Sequence, residues 1–328
     1  MGLRDTFEIS TFDRLASHYL NEQKQLITGS GFSAGASSAL TFAGLKRQIL
    51  AQNRLALWAP DLEHYPSDNL EGFLRASKGL GSGKSLFHSS KRFKEAFVKC
   101  LIEAHKELQN LDFRDIAIAA NFLSFFDEVS CLQYDSLLYR VDLAGRMPLD
   151  DGFRAFGNFS RFSQARKVSY PHGAVFIGYQ DGVPRKLKAG AKTLLEQIQA
   201  SANEIEIPII LEGSSAQKER RIAENPYLSA CYSRLSKWAG VVFIYGASLG
   251  ESDAHILKQI ISSNVHTVAF GIFRPEQQKN AAAEFVDRLL RLKEELGVGR
   301  KIRVRFFDTS TVGLWEHQAA NRAKRIAA

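Results

Sequence analysis

Short apolar runs punctuate this chain, and between them apolar positions recur at helical spacing. Lys24 to Thr28 reads as a first strand, followed at once by the turn GSGFSAG and a helical run from Ser37 to Leu50. From Trp58 to Phe126 the pattern is helical and no strand interrupts it, with a helix predicted over Lys91 to Leu108 and another over Arg114 to Phe126. Glu128 to Leu132 reads as a second buried strand leading into a helix over Ser136 to Val141. Lys167 to Gly178 has β character and stops at the turn signal Asp181-Gly182. Beyond it the chain alternates: helix Ala191 to Ala202, strand Ile205 to Leu211, helix Ala216 to Trp238, strand Gly240 to Tyr245, helix Asp253 to Ser263. The alternation ends with strand Thr267 to Phe273, helix Ala281 to Leu296, strand Ile302 to Phe307 and a final helix.

Apolar strands alternating with helices predict a parallel sheet covered on both faces. The expected fold is therefore an α/β, Rossmann-like doubly wound sheet. Residues 1–328 form one domain in this reading, with 51–126 an inserted helical cap and 300–328 a basic strand and helix. No internal repeat and no low-complexity segment is seen.

Composition narrows the class. A chain of 328 residues, 45% hydrophobic and 24% charged, can bury a large core unaided. Its three cysteines lie far apart without a CxxC pair, which predicts a reducing cytoplasmic setting, no disulfide framework and no four-cysteine zinc site, and no metal cofactor is expected. The N-terminus lacks the apolar core of a signal peptide, and no apolar run approaches the roughly 20 residues that span a bilayer, so no membrane partner is expected. The net charge of +8 raises nucleic acid as a partner. Its densest parts are Lys301, Arg303 and Arg305, then Arg322, Lys324 and Arg325, without the interleaved aromatics that single-strand binders use. A polyanionic dinucleotide suits the same charge.

Candidate chemistry gathers where predicted strands end, as expected when ligands bind at the carboxyl ends of parallel strands. In Gly29-Ser30-Gly31-Phe32-Ser33 the glycines admit a pyrophosphate, the first helical amides point at it and Ser33 adds a hydroxyl; the plain alternative is a tight turn with a capping serine. Gln133 and Asp135 stand two residues apart at the next strand end, able to bind ribose hydroxyls or hold a water, with Asp135 alternatively capping the helix that follows. His172 lies between Pro171 and Gly173 in a backbone kink rather than on a helix face. A further turn, Gly246-Ala247-Ser248-Leu249-Gly250, is small enough for phosphate approach, and Asp253 either caps the next helix or reaches a sugar hydroxyl. Lys218 or Arg220 could reach a phosphate from the helix after Glu212, but a surface helix face is the better account of both. The segment GLGSGKS, Gly79 to Ser85, ends like a Walker loop but has Lys78 where that motif needs glycine and no strand before it, so it reads as a loop in the cap.

In this order the four turns resemble the sirtuin superfamily, whose pattern runs GxGxS, a helical insertion, N-x-D, His-Gly and G-x-SL. The matches are Gly29, Gly31 and Ser33, then Asp135, then His172 and Gly173, then Gly246, Ser248 and Leu249. The chain also resembles an uncharacterised bacterial sirtuin-like family of this length, through EGSSAQKERRIAENPYLSACYSRL and GASLGESDAHI, and the likeness covers about Leu26 to Ile256. The resemblance implies NAD as ligand or substrate, cleavage of its nicotinamide–ribose bond, His172 as general base or ribose partner, Asp135 orienting the ribose and both glycine turns on the pyrophosphate. The four-cysteine zinc module of deacetylating sirtuins is absent, so the implied activity is an NADase like those of bacterial antiphage defence, acting as a homo-oligomer or with a sensor protein. Where the family carries its catalytic asparagine this chain has Gln133, one methylene longer. That departure leaves two alternatives open: a sensor that binds NAD or ADP-ribose without turnover, and a nucleic-acid-associated immune component.

Overall fold

A computed structural model of the protein describes residues 7–79, 84–147, 149–154, 157–163, 166–188, 193–201, 206–211 and 213–317. The strands are β1 (Ile9–Thr11), β2 (Lys24–Thr28), β3 (Glu128–Cys131), β4 (Lys167–Ser169), β5 (Ile177–Gln180), β6 (Val183–Lys186), β7 (Ala239–Tyr245), β8 (Asn264–Ile272) and β9 (Arg303–Asp308). Seven form one wholly parallel sheet in the order β1-β9-β8-β7-β2-β3-β4, and helices flank it, so the Rossmann-like α/β expectation holds. From β2 the chain steps outward to β3 and β4, then returns to β7 and steps the other way through β8 and β9. Right-handed crossovers in opposite directions put helices on opposite faces and open a crevice between β2 and β7.

The central strands are buried on both sides. Leu26, Ile27 and Val241 through Ile244 are fully enclosed, which is why they read as continuous apolar runs. One face is filled by aromatic rings: Phe243 meets Phe12, Phe125, Phe126 and Phe307 at centroid separations of 5.4–6.0 Å. Each such pair contributes about 0.5–1.5 kcal/mol beyond its buried area.

Several local expectations are corrected. Of the strand expected over Ile205 to Leu211, residue 205 lies outside the described residues and 206–211 form no strand: Pro208 removes a ladder donor in the middle, and among the described residues a bridge from Glu206 to Tyr179 is what remains. The helix expected over Ala216 to Trp238 is two, Ser215–Ala223 and Pro226–Leu235, because Asn225 caps the second with Pro226 at its first position. The helix after the first glycine turn begins at Ser30 rather than Ser37, as Ser30–Ala36, and a second runs Phe42–Gln52. Asp181 and Gly182, both at positive φ, close the β5–β6 hairpin. Between β2 and β3 further helices run Ala59–His64, Leu70–Gly79, Lys84–Ala104 and Phe113–Ser124. Residues 80–83 of the Walker-like segment, the expected final helix and Arg322, Lys324 and Arg325 lie outside the described residues. Among the described residues no helix is long and apolar enough to cross a membrane.

Candidate functional site

The two glycine turns meet at the crevice. Gly29 NH donates to Tyr245 O (3.1 Å) and Gly31 NH to Gly246 O (2.9 Å). A Cβ on Gly31 would stand 2.6 Å from Gly246 Cα, and one on Gly246 would stand 2.7 Å from Gly31 C and Phe32 N. Gly246 also has φ +66°. The glycines are thus required first by each other, a reason for them that the sequence reading did not contain. Phe32 NH turns back to Gly29 O (2.9 Å), and the Phe32 ring lies in the core, edge-on to Trp315, whose Nε1–H donates to Phe32 O at 2.7 Å. Ser30 is half-buried, whereas Ser33 is fully buried with no partner for its Oγ among the described residues. On the other turn Ser248 is exposed and Leu249 is buried at φ +44°.

Gln133 is buried against the first turn. In the amide orientation that satisfies its surroundings, the side-chain nitrogen donates to Thr28 Oγ1 (2.9 Å), Thr28 O and Gly29 O (both 3.2 Å). Its amide nitrogen therefore pins the end of β2. Asp135 Oδ1 accepts from Leu137 NH at 2.8 Å, the first amide of the helix Leu137–Gly145, while the N-cap position itself falls to Ser136. Beside it lies His105, which sequence reasoning missed. Its Nδ1 faces Leu101 O at 2.5 Å and its Nε2 accepts from Ser136 NH at 2.8 Å, the pattern of a neutral imidazole. Burial holds its pKa below the ordinary histidine value despite nearby Asp135.

His172 and Asp253 come together from separate turns. Gly173, at φ +79°, lets the kink pass Pro208, whose carbonyl oxygen a Cβ would meet at 2.1 Å, and His172 O accepts from Ile210 NH at 3.0 Å. That fixes His172 at 2% exposure with Nε2 4.0 Å from Asp253 Oδ1 and 3.0 Å from His255 Nε2. Asp253 makes no side-chain cap bond to the helix Ala254–Ser262 that it precedes. Its Oδ1 instead accepts from Lys218 Nζ at 2.9 Å. Lys218, on the capping-box helix Ser215–Ala223, is fully enclosed and reaches Glu71 Oε2 at 2.6 Å. Tyr134 OH lies 2.8 Å from Glu71 Oε1 and 3.0 Å from Ile210 O. Thus Glu71, from the helix Leu70–Gly79 between β2 and β3, is tied to the turn after β7 through one ammonium.

Electrostatics follow from this packing. Burial, reinforced by the Lys218 charge, holds His172 well below its ordinary pKa, and burial lowers His255 to about 4. Both imidazoles are neutral near pH 7. Burial pushes Asp253 up, but Lys218 and His172 outweigh it and the carboxyl lies below its usual range. Glu71 is raised because burial outweighs Lys218. Burial pushes Lys218 down, and the two carboxylates more than restore it.

The sequence named His172 and Asp253 and mentioned Lys218 only as a phosphate or surface residue. It missed Glu71 and His255. The one available signal was the spacing of Asp253 and His255 behind a small-residue turn. A separate groove of about 480 Å³ lies at the sheet edge, among Phe7, Arg14, Tyr19 and Arg303 to Phe306, and none of the sequence-predicted site residues lines it.

Residues 80–315 match a family described as a domain of unknown function. A search of curated proteins finds no match.

Proposed function

The chain belongs to the DUF4917 family, and we propose that it binds NAD at the carboxyl ends of β2, β3 and β7 and hydrolyses the bond between nicotinamide and ribose. The observation that carries this reading is the approach of His172 and Asp253 to 4.0 Å at the switch point of a parallel sheet, from turns far apart in sequence. The resemblance to sirtuins over Leu26 to Ile256 supplies the ligand class. Ser33 Oγ, buried beside the first glycine turn and without a partner among the described residues, suits an acceptor such as a phosphate oxygen.

The nicotinamide of NAD is a cationic leaving group, so the protein has to place a water and stabilise a positive anomeric carbon. Water oxygen bonds to that carbon as the carbon–nitrogen bond breaks, nicotinamide leaves neutral with the electron pair, and His172 accepts the proton released by the water. A neutral histidine is the form able to do so. Glu71 and Asp253 share one ammonium, so with both carboxylates ionised the cluster favours the developing positive charge. Asp135 binds the ribose through the carboxylate oxygen that does not accept from Leu137 NH. The segment 51–126 acts in this reading as a cap over the site. The protein works in the cytoplasm as an antiphage effector, as a homo-oligomer or under a sensor protein.

The test is nicotinamide release from NAD by the purified full-length chain, with products separated by chromatography. Turnover is expected and His172→Ala should abolish it; an inactive parent, or a His172→Ala variant as active as the parent, would overturn the hydrolase reading. A second reading, an NAD or ADP-ribose sensor, is favoured by the engagement of the Gln133 amide nitrogen with Thr28 and Gly29. It predicts thermal stabilisation by either ligand without product, in the parent and in Gln133→Asn alike.

A further inference from the structure

The imidazoles of His172 and His255 face each other nitrogen to nitrogen at 3.0 Å, and Asp253 stands beside them. Among the described residues these three bring one ligand atom each to within 4.8 Å of one another. Two nitrogens bound to one zinc-sized ion at about 2.0–2.1 Å stand roughly 3.3 Å apart at a tetrahedral angle. The observed pair is already close to that spacing.

The surroundings are those of a ligand set. His255 Nδ1 lies 3.4 Å from Ser215 Oγ, and the ring also bonds to the backbone of Ser252. Metal-binding histidines are held in this way through the other ring nitrogen, which leaves Nε2 with its lone pair aimed inward. The Asp253 carboxylate brings Oδ1 to 4.0 Å from His172 Nε2, and the same oxygen accepts from Lys218. Two buried carboxylates here share a single ammonium, and a divalent cation would supply the positive charge that Lys218 alone does not. The ligand mixture, two imidazoles and one carboxylate, suits zinc or cobalt rather than magnesium or calcium.

We propose that His172, His255 and Asp253 bind one zinc-type divalent cation, and that the bound cation withdraws His172 from catalysis, so that the ion is an inhibitor of the enzyme. The inhibitory half rests on the NAD reading above. The binding half does not.

Metal-stripped full-length protein titrated with Co²⁺ should develop the visible absorption of a low-coordinate cobalt site, saturating at one ion per chain, and Zn²⁺ should displace it. His255→Gln and Asp253→Asn should each abolish the band while keeping a parental far-ultraviolet circular dichroism spectrum; Ser215→Ala should weaken binding by about 10-fold. If a variant misfolds, a one-to-one Zn²⁺ stoichiometry by isothermal titration calorimetry of the metal-stripped parent is the independent measurement. No cobalt band in the parent, or a band that survives both His255→Gln and Asp253→Asn, would overturn the site. Where NAD is cleaved, Zn²⁺ should inhibit with the midpoint at which it displaces Co²⁺; binding without inhibition would overturn the inhibitory half. Cobalt binding without nicotinamide release would overturn the hydrolase reading and leave the metal site standing.

Discussion

Replacing Lys218 by methionine keeps most of the side-chain volume and removes one charge from a fully enclosed position. Glu71 Oε2 at 2.6 Å and Asp253 Oδ1 at 2.9 Å both lose their cation. Breaking a buried ion network by removing one partner typically costs about 3–5 kcal/mol, because the remaining charges stay buried. For 328 residues at about 2.1 cal/mol/K each, the unfolding entropy is about 0.7 kcal/mol/K, so Tm should fall by about 4–7 °C at pH 7.5. Without Lys218, burial and mutual repulsion lift both carboxyl groups above their unfolded pKa of about 4. A group whose folded pKa is raised favours folding as pH falls toward and through that value. The deficit relative to the parent should therefore shrink between pH 8 and pH 5, and Glu71→Gln added to Lys218→Met should recover part of it. Thermal unfolding followed by far-ultraviolet circular dichroism reads the parent and both variants. A Tm within 1 °C of the parent, or a deficit that grows as pH falls, would refute the argument.

Trp315→Ala should destabilise by about 3–5 kcal/mol, since it empties a site at 2% exposure and frees the Phe32 carbonyl; urea unfolding gives the value. Gly246→Ala combines a left-handed backbone with a Cβ 2.7 Å from Gly31 C and should lower Tm more than Gly182→Ala, which has φ +75° but nothing within 4 Å and should cost only about 1–2 kcal/mol. Acid should weaken the fold through His255: its folded pKa of about 4 lies below the ordinary 6.5, so its stabilising contribution is complete above 6.5 and is lost as pH falls toward 4. His255→Gln should flatten that limb of the stability profile by up to about 1.4 kcal/mol per pH unit, measured by urea unfolding between pH 7 and pH 4.5.

The parallel sheet was legible because strands buried on both faces have nowhere to put polar residues, so Leu26-Ile27 and Val241 to Ile244 announce themselves. The three-residue edge strand β1 escaped because Ile9 and Thr11 are exposed and only its pairing with β9 defines it. Ile207 to Leu211 misled because its apolar run serves another purpose: Ile209 to Leu211 are buried, and the Ile210 amide holds the His172 kink. Of the cluster, His172 and Asp253 were readable because they sit beside turns. Glu71 and Lys218 lie in amphipathic helices where charge normally marks the solvent face, and only the tertiary fold turns them inward.

The mutual contact of the two glycine turns has a consequence for inheritance. Residues 29 to 31 and residue 246 belong to a single steric decision, because a side chain admitted at one turn must be answered by a retreat of the other. Drift at these positions is therefore permitted in pairs, and a relative that has lost one glycine should have moved or lost its counterpart too.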